Sequence, residues 1–351
     1  MDEAPITAKS LSQPYHIDAD KFERAYKDIL SGYRTWKHAL HAGQWLVFPR
    51  NVGERLCIDE TSMSDGELYT IVSNPDARGR KGTLVAIVKG TRIEDVAKAI
   101  NRIYLYEREK VRQVTMDFSE SMRSIVQQCF PYAIIIPDRF HLQKLCNDAV
   151  QECRMICKRD ATAQNNKERK DFEQRKRQRQ KQRKQGRKDP GGRKRGRKNE
   201  AFQPFRFPNG DTRMELLTRS RYLLTTSPDK WSSSQKVRAD LLFKEYTMIA
   251  TAYGISHSLR VRMSKEYRDR DLARASIKDW CEQVEVSRIE AFTSVLDTVR
   301  DRTEDILNYF IGRSSNAFAE SFNSKIKHFR AQLRGVTDVE FFLFRLSTIF
   351  G

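Results

Sequence analysis

The sequence has no C-x-x-C pair among its six cysteines, which stand at 57, 129, 146, 153, 157 and 281. The usual zinc ribbons need such pairs, and Cys146, Cys153 and Cys157 with His141 have the wrong intervals for one. Several of the cysteines fall in apolar stretches, so they read as reduced core thiols of a cytosolic protein. No apolar run approaches the ~18 residues that span a bilayer. The opening Met-Asp-Glu lacks the charged-then-apolar pattern of a leader. Both absences argue against secretion and membrane insertion, and for a cytoplasmic location. Acid is also in short supply. Lys and Arg number 65 against 46 Asp and Glu, a net charge of +19 with pI near 9.7. Such an excess points to a polyanion, because neutralising nucleic-acid phosphates releases counterions.

The charge is concentrated. Lys167 to Lys198 holds 17 Lys and Arg against four acids, +13, which leaves about +6 for the rest of the chain. Runs of this kind are ordinarily solvated and poorly ordered, and Asp189-Pro-Gly-Gly192 would stop any helix within it. A solvated arm can still grip phosphates without sequence preference, and Lys194, Arg195 and Arg197 are its candidate DNA contacts. At 351 residues the chain is expected to hold two or three units.

Arg55-Leu-Cys-Ile-Asp-Glu-Thr61 reads as a short buried strand that delivers a carboxylate. Alternation puts Cys57 and Asp59 on one face and Leu56, Ile58 and Glu60 on the other. Val111-Arg-Gln-Val-Thr-Met-Asp117 repeats the design, with Thr115 and Asp117 opposite Val114 and Met116. An Asp closing a strand is commonly a turn former or a helix cap, so neither residue alone carries the argument. Side by side, however, the two strands would bring two carboxylates together, and like charges that close are tolerated mainly when a divalent cation neutralises them.

Around these strands the chain reads as mixed α/β. Residues 1–54 suggest a small helical preface, with apolar periodicity from Asp20 to Leu40, aromatics suited to core packing, and Pro49 and Gly53 at its end. Leu68–Ser73 and Gly82–Val88 are β-branched runs separated by a turn cluster, and with the first strand they suggest an antiparallel meander. Ile93, Val96, Ala97, Ile100 and Tyr104 recur at helical spacing. A helix is expected over Ser119–Phe130 and a strand over Ala133–Pro137. Asp138-Arg-Phe-His141 then opens a long helix that runs into the basic block. Residues 212–312 lack strand alternation; they contain a capping-box pattern, Ser232-Ser-Ser-Gln235, and read as an all-helical insertion. The expected division is therefore preface 1–54, catalytic core 55–160, basic and flexible arm 161–211, helical insertion 212–312, and closing core helices 313–351.

Ser314 to Phe329 forms a two-faced helix. Asn316, Glu320, Asn323 and Lys327 share one side, and Phe318, Phe322, Ile326 and Phe329 form the other. One carboxylate flanked by amides and lysines suits a place where metal and phosphate meet, although an exposed helical Glu is ordinarily solvent-facing. At this point the chain resembles the DDE transposases of bacterial insertion sequences, most closely the ISL-three type. The resemblance rests on Ile58-Asp-Glu-Thr61, Thr115-Met-Asp117, Asp138-Arg-Phe-His141, Arg219-Ser-Arg-Tyr-Leu-Leu224 and Ser315 to Lys327, in order.

The resemblance implies a ribonuclease H-like α/β fold, with a mixed sheet flanked by helices and an all-helical insertion domain before the last catalytic helix. It implies a catalytic triad of Asp59, Asp117 and Glu320, with Asp138 and His141 in a supporting signature; Glu60, Asn316 and Asn323 are further supporting candidates, and Arg139, Lys325 and Lys327 are candidate DNA contacts. The expected reaction is metal-dependent cleavage of the element's ends followed by strand transfer into target DNA. A structure-selective nuclease of the same fold, a resolvase, is the alternative. Hard oxygen donors select Mg²⁺ or Mn²⁺, and two ions about 3.5–4 Å apart can serve an in-line displacement. The protein would act as a homo-oligomer on DNA, associated with the bacterial nucleoid. Family members carry an N-terminal zinc cluster and helix-turn-helix units, whereas about 50 cysteine-free residues precede the first strand here. A separate DNA-binding polypeptide is therefore expected to recognise the ends.

Overall fold

The β-branched runs of the sequence become strands because both of their faces are buried against helices. The computed structural model describes residues 1–64, 66–185, 201–312, 316–333 and 338–351. Lys194, Arg195 and Arg197 lie outside these. The strands are β1 Trp45–Val47, β2 Arg55–Ser64, β3 Glu67–Ser73, β4 Leu84–Lys89, β5 Gln113–Met116 and β6 Ile134–Pro137. Among the described residues they form one six-stranded sheet in the order β1-β4-β3-β2-β5-β6. The first four are antiparallel neighbours, while β2, β5 and β6 run parallel. This is the mixed sheet of a ribonuclease H-like fold.

Helices α1 Ala8–Ser12 and α2 Ala19–Ala25 precede the sheet. α3 Ile93–Ile100 and α4 Leu105–Arg108 lie between β4 and β5, α5 Glu120–Cys129 between β5 and β6, and α6 Arg139–Gln185 after β6. There follow α7 Arg213–Arg219, α8 Ser233–Glu245, α9 Thr247–Ser264, α10 Arg270–Ser287 and α11 Thr293–Asp301. The chain then continues through α12 Thr303–Gly312, α13 Ala317–Gln332 and α14 Val339–Phe350. It divides into two compact units. One comprises Met1–Leu142, Tyr267–Ala273 and Arg302–Gly351; the other comprises Gln143–Glu266 and Arg274–Asp301.

The first unit has a core on each face of the sheet. Leu56, Ile58, Val72, Val114 and Met116 pack with Val96 and Ile100 of α3 and with Met122, Ile125 and Val126 of α5. On the other face Leu46, Tyr69, Ile71, Leu84 and Ile87 pack with Phe322, Ile326 and Phe329 of α13 and with Phe342, Leu346 and Ile349 of α14. Each fully buried phenylalanine contributes roughly 2–3 kcal/mol through area removed from water. The expected alternation holds, since Leu56 and Ile58 face α3 and α5. Cys57 and Asp59 accordingly take the α13 side.

The second unit is held by buried side chains such as Cys146, Val150, Cys153, Leu217, Leu242, Ile249 and Trp280, whose indole Nε1 donates to the Ile255 carbonyl at 3.0 Å. Ser232 and Gln235 form the expected capping box. All six cysteines are free and buried.

Four local expectations need correction. Trp45-Leu-Val is not part of a helical preface but pairs with β4 as an edge strand. The Asp20–Leu40 periodicity breaks into α2, a π-helical turn over Tyr26–Leu30 and a short turn at Tyr33–Thr35, with Gly32 in the left-handed region. Tyr33 and Trp36 do pack as expected, against Phe341 and Phe344. Next, the arm placed at 161–211 is helical as far as Gln185, and side chains from beyond it fasten its first turns. Arg213 donates to Glu168 at 3.0 Å, and the Phe172 and Phe202 rings lie 5.8 Å apart. Finally, the chain divides at Gln143 rather than near residue 160. The α6 residues from that point are fastened within the second unit, with Gln143 Nε2 donating to Ser256 Oγ at 2.9 Å and Arg154 Nη1 to the Leu217 carbonyl at 3.1 Å.

Candidate active site

The pairing register brings the strand acids together. Cys57 pairs with Thr115 across the parallel β2/β5 ladder, and two residues further along each chain stand Asp59 and Asp117. Met116 pairs with Pro137 across β5/β6, so the next residues are Asp117 and Asp138. Three carboxylates thus follow one another along the carboxyl ends of that pairing. Asp59 does not close its strand as expected. β2 continues to Ser64, paired with β3, so the acid sits where the parallel partner stops and the antiparallel one carries on.

Helix α13 is fastened to both strand acids. Asn323 Nδ2 donates to Asp59 Oδ2 at 2.7 Å, and Asn316 Nδ2 donates to Asp117 Oδ1 at 3.0 Å. Asn316 occupies the N-cap position of α13 but makes no side-chain cap. An Asn there ordinarily satisfies the first amides of its helix, and this one is spent on a carboxylate instead. Glu320 lies between the two amides in sequence, one turn from Asn316 and exposed. Burial is the main cause that raises the Asp117 carboxyl, and the charges of Asp138 and then Glu320 add to it.

The electrostatics are those of a site short of positive charge. Burial, and then the charge of Asp117, push the Asp59 carboxyl up to about 6, against the pull of the Glu60 amide at 2.8 Å and of Asn323. Burial raises Asp117 too, opposed by His141, whose Nε2 lies 3.1 Å from Asp117 Oδ1, and by Asn316. Asp138 is fully buried and raised by burial. Its Oδ1 accepts the Phe140 amide at 3.2 Å and the Asn316 backbone amide also favours its charged form, while its Oδ2 makes no hydrogen bond of normal geometry. Asn316 Oδ1 is likewise buried without one. Crowded carboxylates and unpartnered buried oxygens are hard donors that a divalent cation would satisfy, so the residues fit such an ion. Among the described residues, Asp117, Asp138 and His141 form a group with one donor atom each, all within 4.8 Å of one another.

The remaining site candidates are dispersed. Burial and the neighbouring Asp59 raise the Glu60 carboxyl, and its side chain lies on the α3 side of β2 by alternation. The Arg139 guanidinium lies over the rings of Phe140 and Tyr309, at 5.0 and 5.8 Å. Lys327 is exposed. Lys325 reaches the β3–β4 loop at Gly79 and lines a recess of about 760 Å³ with Arg80 and Lys81. One residue was missed. Thr61 is buried on the Asp59 face with its hydroxyl unpartnered, and counting two residues on from Asp59 would have found it.

Fold and site together define a ribonuclease H-like protein with an acidic centre. A family model described as a transposase, of the DDE ISL-three type, matches residues 56–346. The chain belongs to that family, and membership makes it a DNA-cutting enzyme of a generally divalent-metal-dependent kind. No curated protein and no solved structure matches it.

Proposed function

We propose that the enzyme cleaves DNA at the ends of its mobile element and joins the freed 3′ ends to target DNA, using Asp59, Asp117 and Glu320 as its acidic triad. The observation that carries this reading is the pair of amide bonds from α13. Asn316 and Asn323 flank Glu320 and bond to the two strand acids, so the helix bearing the third acid is tied to the first two. Mg²⁺ or Mn²⁺ held there, as two ions, would activate a water or a 3′-hydroxyl and neutralise charge on the leaving oxygen. The protein's own part is to hold three carboxylates ionised and oriented. The amides do this for Asp59 and Asp117 by hydrogen bonds that favour the charged form.

DNA is the substrate class of the family. Arg139, Lys325 and Lys327 are proposed contacts to its backbone, and the exposed basic part of α6 is a sequence-blind grip on phosphates. Assembly as a homo-oligomer on DNA is part of the same proposal. The test supplies a pre-cut linear end and a plasmid target in Mg²⁺, and in parallel a branched DNA. Joining of the end, abolished by alanine at 59, 117 or 320 with DNA binding retained, is the expected result. Appreciable joining by Asp59→Ala would refute the assignment, and cleavage of branched DNA without joining would mark a resolvase.

A further inference from the structure

The unpartnered oxygen of Asp138 has no explanation in the triad. Asp138 precedes α6, and its Oδ1 accepts the Phe140 amide as a helix cap should. One oxygen suffices for a cap, and Asn or Ser would serve as well. The second oxygen, on a side chain with 0% exposure, makes no hydrogen bond of normal geometry, and only the nearby Asn316 backbone amide and the Phe140 amide favour its charged form against burial, a thin compensation for a carboxylate. A second observation points to the same place. The amide oxygen of Asn316, also 0% exposed, lacks a partner, although the same side chain donates to Asp117. A third is geometric: His141, one turn into α6, brings Nε2 to 3.1 Å from Asp117 Oδ1. Two carboxylates and an imidazole on three neighbouring segments thus surround unsatisfied oxygen.

We propose that Asp117, Asp138 and His141 together bind one divalent transition-metal ion, so that one cation of the site has a nitrogen ligand and a fourth protein carboxylate. This rests on the reading of Asp117 as a metal ligand and extends it. Carboxylate oxygens alone suit Mg²⁺. An imidazole adds a donor that Mg²⁺ seldom takes and first-row transition ions accept, so the site should favour Mn²⁺ over Mg²⁺. The competing account makes Asp138 only a cap and His141 only a hydrogen-bond donor that orients Asp117.

Mn²⁺ titration of the full chain without DNA, followed by electron paramagnetic resonance, separates the two accounts. Pulsed measurements on the bound ion report directly coordinated ¹⁴N. The expected result is a nitrogen coupling in the wild type that disappears in His141→Gln, with Mn²⁺ affinity reduced at least ~10-fold in His141→Gln and in Asp138→Asn. Asn keeps the cap, so an unchanged thermal midpoint of Asp138→Asn without metal shows that the fold is intact. Bound Mn²⁺ that depends on Asp59 and Asp117 but shows no nitrogen coupling, or is indifferent to both variants, overturns this proposal and leaves the triad standing. No Mn²⁺ binding by the wild type overturns both.

Discussion

Replacing Asp59 with Asn should stabilise the metal-free protein at neutral pH while destroying its activity. The Asp59 carboxyl is pushed up to about 6 by burial and by the charge of Asp117. Between the unfolded value near 3.9 and about 6, the folded chain keeps a proton that the unfolded chain has released. Stability therefore falls as pH rises through that window, and above it the ionised carboxylate costs about 3 kcal/mol. Asn never ionises and escapes this penalty. It places an amide where Asn323 and the Glu60 backbone both donate, a mismatch of about 1 kcal/mol. The net gain is about 2 kcal/mol at pH 8, or roughly 4–8 °C in the midpoint of a unit of about 200 residues. At pH 4, where the native carboxyl is neutral, the mismatch alone remains and the variant should be slightly less stable. Thermal melts in chelator from pH 4 to 8 make the measurement, and repeating them with Mn²⁺ should raise the wild-type midpoint only. An Asp59→Asn variant destabilised by the same amount at every pH would show that the crowding of carboxylates is not felt.

Other outcomes follow from the same geometry. Glu320→Gln should abolish cleavage and joining while moving the melting midpoint little, because Glu320 is exposed; a large loss of stability would reveal a structural role. Asn323→Leu should lower stability by about 1–3 kcal/mol through an unpaired buried carboxylate, seen as a lower midpoint that added Mn²⁺ partly restores. Phe329→Ala, where α13 packs on the sheet, should cost about 3–5 kcal/mol in denaturant titration. Neutralising four lysines or arginines between Lys170 and Lys181 should flatten the salt dependence of DNA binding by up to ~0.9 for each phosphate no longer neutralised, and an unchanged slope would place that face of α6 away from DNA.

Much of the sheet was legible because one rule governs it. Strands β2 to β6 are short β-branched runs buried on both faces, which marks their position, and the two-residue period of a strand gives the side on which Asp59 and Asp117 emerge. β1 was not legible, since three residues are too few to show a period and its pairing with β4 is set by tertiary context. The helix through Gln185 was hidden for a different reason. A helix polar all round has the composition of a disordered run, and what orders it, Arg213 on Glu168 and Phe202 near Phe172, comes from residues 30 to 45 positions away. In the site, spacing placed Asn316, Glu320 and Asn323 on one helix face but could not say that Asn316 forgoes its cap to hold Asp117. Asp138 was legible as the head of α6, and its dry second oxygen was not, because burial of a single atom leaves no mark in sequence.

The bonds that tie α13 to the strand acids link residues 199 and 264 positions apart. During synthesis at about 5–20 residues per second, the two aspartates leave the ribosome at least ~10 s before the helix whose amides bond to them. For that interval the nascent chain lacks Glu320, and Tyr69, Ile71, Leu84 and Ile87 have neither α13 nor α14 to cover them. Any copy of the gene broken between residues 117 and 316 would thus encode a chain with two of the three proposed acids and a bare sheet face. Such a product would be prone to degradation or aggregation rather than to cutting DNA. The long sequence separation makes completion of the polypeptide a condition for fastening Asp59 and Asp117 to α13 at all.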